Sequence, residues 1–316
     1  MNLKTLFNLY ENYRMESPFI GTPVELYEPM RYIMELGGKR ARPLLSIASA
    51  LSAGGNIENA LPIGHTMEVF HNFTLVHDDI LDNARLRRGQ PTVHEKWNTP
   101  TAILSGDNML VKAFEYLLAY QGKQKDEILN MFTRTAREVC EGQQMDMEFS
   151  QLEDVTEESY LEMIRLKTAV LLGCCAYGGA SSAGASHEKA KKYYTFAESL
   201  GLAFQLDDDW LDTFGDASKT GKKAGGDIEE GKKTWLYIKA KNKGLQIAQL
   251  YATNQSEDRI YHATKLFKNH GLDEELKRLS AFYADKAADI LQNLAQMGDK
   301  THYLVELAEM LGKRES

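Results

Sequence analysis

The chain has 316 residues, of which 43% are hydrophobic, and its formal net charge is -8 with a sequence pI near 5.6. This length suits one or two globular domains with a sizeable core. The acidic balance, with no basic stripe to offset it, excludes nucleic acid as an expected partner.

Three cysteines, at Cys140, Cys174 and Cys175, are odd in number and two are adjacent. We therefore expect no disulfide framework and a reducing, cytoplasmic location. Charged residues within positions 1–20 break any signal-peptide core. No apolar run approaches the roughly 20 residues of a membrane-spanning helix, so a soluble protein is expected.

Apolar residues recur at spacings of three and four almost throughout, which predicts helices rather than strands. In chain order, the predicted helices are residues 2–16, 23–36, 41–53, 57–83, 99–120, 124–150, 156–184, 187–213, 232–252, 256–270, 272–296 and 300–313. Glycine, asparagine and proline are dense between them, at 37–38, 54–56, 89–91 and 215–226. No repeat or linker interrupts the chain. The prediction is one all-α domain over residues 1–316.

GGKRARP, residues 37–43, is the first stretch with chemical character. Two glycines precede Lys39, Arg40 and Arg42, and Pro43 suits the first turn of a helix. A glycine turn that leads into a helix beside cations is a candidate anion site. For this segment alone, a basic loop that caps a helix is the simpler interpretation.

Three aspartates end the apolar helix in HNFTLVHDDILDNARLRRGQPTVH, residues 71–94. Asp78 and Asp82 are four residues apart and so share one helix face, with Asp79 beside them. Two carboxylates that close repel each other without a cation. Mg2+ is usually held by one or two carboxylates plus substrate phosphates. A lone motif of this kind is more simply an acidic helix end.

Two further observations favour a diphosphate site over that simpler interpretation. Arg87 and Arg88 follow the aspartates, and guanidinium groups can bind phosphate oxygens bidentately. A second copy of the acidic motif lies in FQLDDDWLD, residues 204–212, at Asp208, Asp209 and Asp212. Two such clusters can face each other across a helical bundle and share metals.

Together these motifs resemble the trans-polyprenyl diphosphate synthases, which elongate isoprenoid chains. The match continues in the family's order through GQQMD at 142–146, KTA at 167–169 and GKKAGGDIEEGKKT at 221–234. The resemblance implies a single large helical bundle of the isoprenoid synthase type with a central active-site cavity. It also implies a homodimer and several Mg2+ ions per active site, which Mn2+ can replace.

The resemblance assigns roles to the residues at matching positions. The direct metal ligands would be Asp78, Asp82 and Asp208, with Asp79, Asp209 and Asp212 behind them. The diphosphate of isopentenyl diphosphate would be held by Lys39, Arg42, His71 and Arg88. The allylic diphosphate would be held by Arg87, Lys167, Lys222 and Lys232, with Thr168 and Gln205 near its reacting carbon. Without the resemblance, the simpler interpretation of His71 is a structural histidine. For Lys167 it is a side chain whose aliphatic part packs along the surface while its ammonium group reaches solvent.

The implied reaction is metal-assisted ionisation of the allylic diphosphate, attack by the double bond of isopentenyl diphosphate, and loss of a proton. In this family the departing diphosphate is considered the base, and we nominate no side chain for that role. Glycine-rich surroundings make the segment with Lys222 and Lys232 a candidate lid. A lid and a dry pocket would protect the carbocation from water.

Product length depends on Phe73, which lies five residues before Asp78, about 7.5 Å along the helix. It resembles the family's aromatic floor, while Thr74 is small. These features favour geranylgeranyl diphosphate, with twenty carbons, over farnesyl diphosphate, with fifteen, or a longer product. Alternatively, Phe73 is ordinary core and the depth is set by Leu104 or Met109.

Two other protein classes remain as alternatives. A terpene cyclase would not need a second diphosphate site, and a noncatalytic synthase subunit commonly lacks one aspartate cluster. Asp107, Gln143 and Asp146 belong to family-like blocks, and we expect them to join helices through buried hydrogen bonds. His77 and His94 are expected to be structural.

Overall fold

A computed structural model describes residues 2–215, 225–252 and 256–312. Its helices are α1 (Leu3–Glu16), α2 (Val24–Glu35), α3 (Ala41–Ser52), α4 (Ile57–Leu81), α5 (Val93–Lys96), α6 (Thr99–Ala119), α7 (Lys125–Phe149), α8 (Glu157–Ile164), α9 (Val170–Ser182), α10 (His187–Phe214), α11 (Gly226–Glu230), α12 (Trp235–Asn242), α13 (Ile247–Tyr251), α14 (Ser256–Asn269), α15 (Leu272–Gln296) and α16 (His302–Gly312). Two short strands, β1 (Leu86–Arg87) and β2 (Gln90–Pro91), form an antiparallel hairpin. The predicted all-α fold class is confirmed.

Apart from small shifts at helix ends, the predicted elements differ from the observed ones in three places. The helix expected over 156–184 contains a π-helical segment at Arg165–Ala169. The helix expected over 232–252 divides into α12 and α13, because Gly244 adopts a positive φ of 73° and ends the first of them. The loop expected after α4 contains the hairpin and the short helix α5.

Local capping explains where several helices begin. The Asn56 side chain accepts a hydrogen bond from the Asn59 amide at 2.9 Å at the start of α4. The Asn98 side chain accepts one from the Thr101 amide at 2.8 Å at the start of α6. Thr156 forms a reciprocal capping box with Ser159 at the start of α8. Each cap satisfies amide groups that have no partner within the helix.

The chain divides into two compact units, and each contains one aspartate motif. The first unit comprises residues 1–131, 175–191 and 298–307, and it holds the first motif. The second comprises residues 132–174, 192–297 and 308–316, and it holds the second motif. The single domain over 1–316 stays a prediction.

In the first unit, α4 is buried along most of its length and packs mainly against α3 and α6. A buried arginine fixes the start of α3 within this unit. Arg40 is 4% exposed, and its guanidinium contacts Glu11 at 2.8 Å, Glu68 at 3.0 Å and the Met34 carbonyl at 2.6 Å. Because these contacts satisfy a buried charge, Arg40 is a structural residue of the GGKRARP segment.

The second unit has its own apolar core, which is built from α8, α10 and the helices after residue 234. Its fully or nearly buried members include Ile164, Leu206, Trp235, Leu236, Phe267 and Leu276. The Ser280 hydroxyl donates to the Ala203 carbonyl at 3.1 Å and joins α15 to α10. Within the described parts of the chain, no helix is both long and apolar enough to cross a membrane.

Candidate active site

The first motif lies at the C-terminal end of α4, and its three aspartates have different surroundings. Asp79 is only 1% exposed and binds the guanidinium of Arg87, with Nε 2.9 Å from Oδ2 and Nη2 2.8 Å from Oδ1. Asp78 is half-buried, and Asp82 is exposed at the helix C-cap. The middle carboxylate is therefore paired with an arginine of the chain, while Asp82 is accessible to solvent.

The hairpin after α4 places both arginines of the basic loop. Arg87 pairs with Gln90 across the hairpin, and the turn residues Arg88 and Gly89 have φ values of 54° and 75°. Two positive φ values in a two-residue turn are typical of type I′, which prefers Asn-Gly. An arginine in the left-handed region costs roughly 1–2 kcal/mol. Strain of this kind clusters at functional positions, so Arg88 is a candidate functional residue on structural grounds too.

Arg88 lies against the glycines of GGKRARP. Its Nη1 donates a hydrogen bond to the Gly37 carbonyl. A Cβ atom at Gly38, where φ is +129°, would lie 2.9 Å from the Arg88 guanidinium nitrogens. Gly38 therefore leaves room for the arginine. The structure thus brings Arg88 to the glycine loop that carries Lys39 and leads into the first turn of α3, where Arg42 lies.

Positive charge accumulates around His71. Burial lowers the pKa of His71 well below its usual value, and the charges of Arg42 and Arg88 lower it further. Burial also lowers the pKa of Arg42, which Glu68 partly offsets. Among the described residues, no acceptor reaches the buried Nε of Arg42. An anion would give this nitrogen an acceptor and would offset the repulsion between the cations.

Phe73 lies below the first motif on α4 and is almost fully buried. Its ring centroid is 5.5 Å from that of Phe70 and 4.8 Å from that of His77. His77 also approaches the Ile103 carbonyl at 3.2 Å, which agrees with a structural role. Leu104 is 59% exposed in the single chain, so Met109, which is fully buried, is the better alternative for a floor residue.

The middle aspartate of the second motif is also buried, but its hydrogen-bond donor is neutral. Asp209 is 4% exposed and accepts a hydrogen bond from the Tyr160 hydroxyl. Burial raises the pKa of Asp209 well above its usual value, and the charges of Asp227 and Asp208 raise it further. The second motif therefore brings several carboxyl groups close together in a region that is largely shielded from water.

Asp227 joins this acidic cluster from the start of α11. Its backbone amide donates to Asp212 Oδ2 at 3.0 Å. Burial and then the charge of Asp212 raise the pKa of Asp227 to about 6. Lys232 lies 3.5 Å from the Asp227 carboxylate and 2.8 Å from that of Glu230. Lys222 lies outside the described residues.

Lys167 and Thr168 lie in the π-helical segment, a distortion that is frequent at functional sites. The Lys167 ammonium is 2.5 Å from Asp146 Oδ2, so Asp146 is a direct counterion and does more than join helices. A Cβ atom at Gly142 would lie 2.3 Å from the Lys167 amide nitrogen. The glycine of GQQMD thus permits α7 to approach the π-helical segment. Thr168 Oγ1 lies 3.4 Å from Gln205 Oε1.

These side chains line one cavity of about 140 Å³ within the second unit. Its polar lining includes Asp146, Tyr160, Lys167, Thr168, Gln205, Asp209, Asp227 and Lys232. Sequence reasoning gave no role to Tyr160 or Asp227. Asp227 lies inside the family-like GGDIEEGKKT block, which was a usable signal. Tyr160 carries no comparable signal, because an aromatic residue at helical spacing is ordinarily core.

Among the described side chains, no group of three or more His, Cys, Asp or Glu residues is arranged to hold a metal ion by itself. The donor set nevertheless fits a hard divalent cation. Each motif offers carboxylates one helical turn apart, and Mg2+ commonly takes one or two carboxylates together with substrate phosphates. Burial, and then neighbouring negative charge, raises the pKa of Asp209 and that of Asp212, and a cation would offset that charge.

Residues 23–267 match the family described as Polyprenyl synthetase. A geranylgeranyl diphosphate synthase from Methanosarcina mazei is 36% identical over 93% of this chain and 91% of its own length. A geranylfarnesyl diphosphate synthase from Natronomonas pharaonis is 33% identical over 92% of this chain and 91% of its own length. A crystal structure of a geranylgeranyl pyrophosphate synthase has a TM-score of 0.90 and 38% identity, and it covers 98% of this chain and 99% of that one.

Proposed function

The chain belongs to the polyprenyl synthetase family, and from that premise we propose that it is a trans-prenyltransferase. It condenses isopentenyl diphosphate with an allylic diphosphate and releases geranylgeranyl diphosphate as its main product. The family match and the similarity to a geranylgeranyl diphosphate synthase over nearly the whole chain support this activity.

The observation that carries the proposal is the pair of cations Arg42 and Arg88 beside His71, in the unit that holds the first motif. Condensation needs a second diphosphate site, whereas a terpene cyclase ionises one substrate only. The unpartnered Nε of Arg42 and the strained turn at Arg88 support an anion site here. We assign isopentenyl diphosphate to this cluster, with Lys39 at its exposed rim.

The second substrate, the allylic diphosphate, is assigned to Arg87, Lys167 and Lys232. Ionisation leaves negative charge on the departing diphosphate, and cations placed there stabilise the transition state. Arg87 is oriented by Asp79 and Lys167 by Asp146. These counterions hold both side chains in defined positions before substrate arrives.

Divalent cations, which we propose to be Mg2+, would be held by Asp78, Asp82 and Asp208. When bound, they would neutralise the diphosphate and favour its departure. The remaining aspartates of the two motifs, Asp79, Asp209 and Asp212, would support these ligands without contacting the metal. Asp79 orients Arg87, and Asp212 accepts a hydrogen bond from the Asp227 amide. Lys222 is assigned to the same substrate by family position alone.

Purified protein incubated with labelled isopentenyl diphosphate, Mg2+ and each of three primers tests the function. Dimethylallyl, geranyl and farnesyl diphosphate should each be extended to a twenty-carbon product. Termination at fifteen or twenty-five carbons would keep the activity and change the product. No incorporation by folded protein, with Mg2+ or Mn2+, would overturn the proposal and favour a noncatalytic subunit.

Product length is tested by Phe73→Ala. We expect products longer than those of the wild type, because the smaller side chain would leave room for a longer chain beneath the first motif. Met109→Ala is the matched variant for the alternative floor. An unchanged product distribution in Phe73→Ala, together with longer products in Met109→Ala, would assign the floor to α6.

We also propose that the enzyme is a cytoplasmic homodimer. Leu104, Val111 and Leu118 are 59%, 53% and 50% exposed and recur every seven residues on α6. Exposed apolar side chains on one helix face are typical of an interface. Light scattering should give a dimer for the wild type, and Val111→Lys should yield monomers.

A further inference from the structure

We infer that Gly142 and Gly201 are positioning residues for the π-helical segment Arg165–Ala169. They hold this segment so that Lys167 and Thr168 line the cavity of the second unit. The inference rests on the proposed function, because it concerns the site assigned to the allylic diphosphate. It gives a role in substrate binding to two residues that have no side chain with which to contact a substrate.

The π-helical segment connects α8 to α9 and belongs entirely to the second unit. Leu166 and Ala169 are buried in it. Lys167 and Thr168, which lie between them in the chain, are half-buried and line the cavity. π-Helical turns are rare and occur mostly as single turns inside α-helices. The neighbours of this segment must therefore favour its geometry over that of a regular α-helix.

Two neighbouring helices approach the backbone of the segment at glycine residues. On α7, a Cβ atom at Gly142 would lie 2.3 Å from the Lys167 amide nitrogen and 2.7 Å from the Leu166 carbonyl carbon. On α10, a Cβ atom at Gly201 would lie 2.8 Å from the Ala169 Cα atom. Non-bonded carbon atoms normally lie about 3.5–4.0 Å apart. A side chain at either glycine position would therefore displace the backbone of the segment.

Each of these two glycines is followed, one helical turn later, by a polar residue that contacts the segment. Asp146 comes four residues after the glycine of α7, and its carboxylate lies 2.5 Å from the Lys167 ammonium. Gln205 comes four residues after the glycine of α10, and its Oε1 atom accepts a hydrogen bond from the Thr168 hydroxyl at 3.4 Å. Residues four apart lie on one helix face. Each helix therefore contacts the segment twice from the same face, at its backbone and at a side chain that lines the cavity.

This arrangement fixes the position of the Lys167 ammonium before substrate arrives. A cation stabilises the charge that develops on a departing diphosphate most effectively when it needs no reorganisation. The two glycines act on this ammonium through the backbone, so their replacement should impair use of the allylic substrate. Isopentenyl diphosphate is assigned to Arg42 and Arg88, which belong to the first unit. Its binding should therefore change little.

The experiment compares Gly142→Ala and Gly201→Ala with the wild type in steady-state kinetics. For Gly142→Ala we expect kcat/KM for geranyl diphosphate to fall about 100-fold, the effect of a displacement of about 1 Å. For Gly201→Ala we expect a smaller fall, because the contact there is wider. The KM for isopentenyl diphosphate should stay within about twofold in both variants. A merely structural role would lower the fraction of active enzyme without distinguishing the two substrates.

Binding is measured separately from turnover. In calorimetry with Mg2+, the affinity for the non-ionisable analogue geranyl thiolodiphosphate should fall about tenfold in Gly142→Ala. Lys167→Ala then tests whether this glycine acts through Lys167. In that background Gly142→Ala should cause a much smaller further loss, because the ammonium that it displaces is already absent. Losses that multiply in full would overturn the inference.

Gly173→Ala is the matched control on α9 of the same unit. A Cβ atom at Gly173 would lie 2.8 Å from the ring of Tyr194, and so would meet a side chain and not the backbone of the π-helical segment. Both kcat/KM values should stay within about twofold of the wild type in this variant.

Gly201→Ala keeps the inference testable if Gly142→Ala does not fold. If neither variant folds while Gly173→Ala does, the glycines serve folding alone and the inference is wrong. Wild-type affinity for the analogue in both folded variants would also overturn it. A wild type that neither turns over nor binds the analogue would instead overturn the proposed function itself.

Discussion

The two aspartate motifs have one spacing, but the chain surrounds them differently. In the first motif, the buried middle residue Asp79 is neutralised by the guanidinium of Arg87. In the second, the equivalent residue Asp209 accepts a hydrogen bond from the neutral Tyr160 hydroxyl. An ion pair offsets the charge of Asp79, whereas the hydrogen bond to Asp209 brings no opposite charge.

This difference indicates where bound cations change the protein most. Burial and mutual repulsion raise the pKa of Asp209, that of Asp212 and that of Asp227. At the Asp79–Arg87 pair, the arginine already supplies a positive charge beside the buried carboxylate. We expect the second motif to gain more stability from a divalent cation than the first.

The largest expected effect is loss of turnover on removal of a metal ligand. Asp78→Ala and Asp208→Ala should each reduce kcat/KM by at least about 1000-fold, or roughly 4 kcal/mol. Asp207→Ala is the matched control, since Asp207 adjoins the second motif but is not an assigned ligand. It should retain activity within about threefold. Normal turnover of both ligand variants with Mg2+ would make the metal assignment wrong.

The sequence could predict the acidic residues because spacing alone puts Asp78 and Asp82 on one helix face. It could not predict their partners. Arg87 reaches Asp79 only because a hairpin follows α4, and the positive φ of Arg88 that closes this hairpin is atypical for arginine. Tyr160 reaches Asp209 through the packing of α8 on α10, a contact between residues 49 positions apart.

The helices show the same limit. Apolar periodicity predicted most of them, but the π-helical segment at Arg165–Ala169 leaves no periodic signature. Nor does the sequence show that α7 approaches this segment closely at Gly142. The assignment of Arg40 to structure likewise required knowledge of Glu11 and Glu68.

The second prediction breaks the charge pair of the first motif. Arg87→Ala leaves the Asp79 carboxylate buried without a counterion, and we expect a loss of about 3 kcal/mol in the free energy of unfolding. Adding Asp79→Asn should recover most of that loss. Tyr160→Phe removes only a hydrogen bond and should cost about 1 kcal/mol. Urea denaturation measures all three, and equal losses for Arg87→Ala and Tyr160→Phe would contradict the contrast between the motifs.

The third prediction concerns pH. The pKa of Asp227 is about 6 in the folded state against an ordinary value of 3.8, so the folded protein binds this proton more tightly. Its contribution to stability is therefore greatest at low pH and declines as pH rises through that window. Without divalent cations, Asp227→Asn should raise the free energy of unfolding by about 2 kcal/mol at pH 8 and by almost nothing near pH 4.

Exposed Glu230 provides the control for that experiment. Glu230→Gln removes a charge from the same segment and should show no comparable dependence on pH. Saturating Mg2+ should shrink the gain in Asp227→Asn, because a bound cation offsets the repulsion that the asparagine relieves. A gain that is constant from pH 4 to pH 8 would show that packing, and not charge, is responsible.

The smallest expected effect is a difference in stability between two variants of Arg88, which distinguishes the backbone strain at this position from the role of its guanidinium. Arg88→Gly and Arg88→Ala both remove the guanidinium, and both should raise the KM for isopentenyl diphosphate about tenfold, near 1.4 kcal/mol. Only glycine relieves the positive φ of 54° at this position. Arg88→Gly should therefore be more stable than Arg88→Ala by about 1 kcal/mol in urea denaturation. Equal stabilities of the two variants would contradict this prediction. They would mean that the left-handed conformation at position 88 has no energetic cost, so that placing a guanidinium beside Gly37 requires no backbone strain.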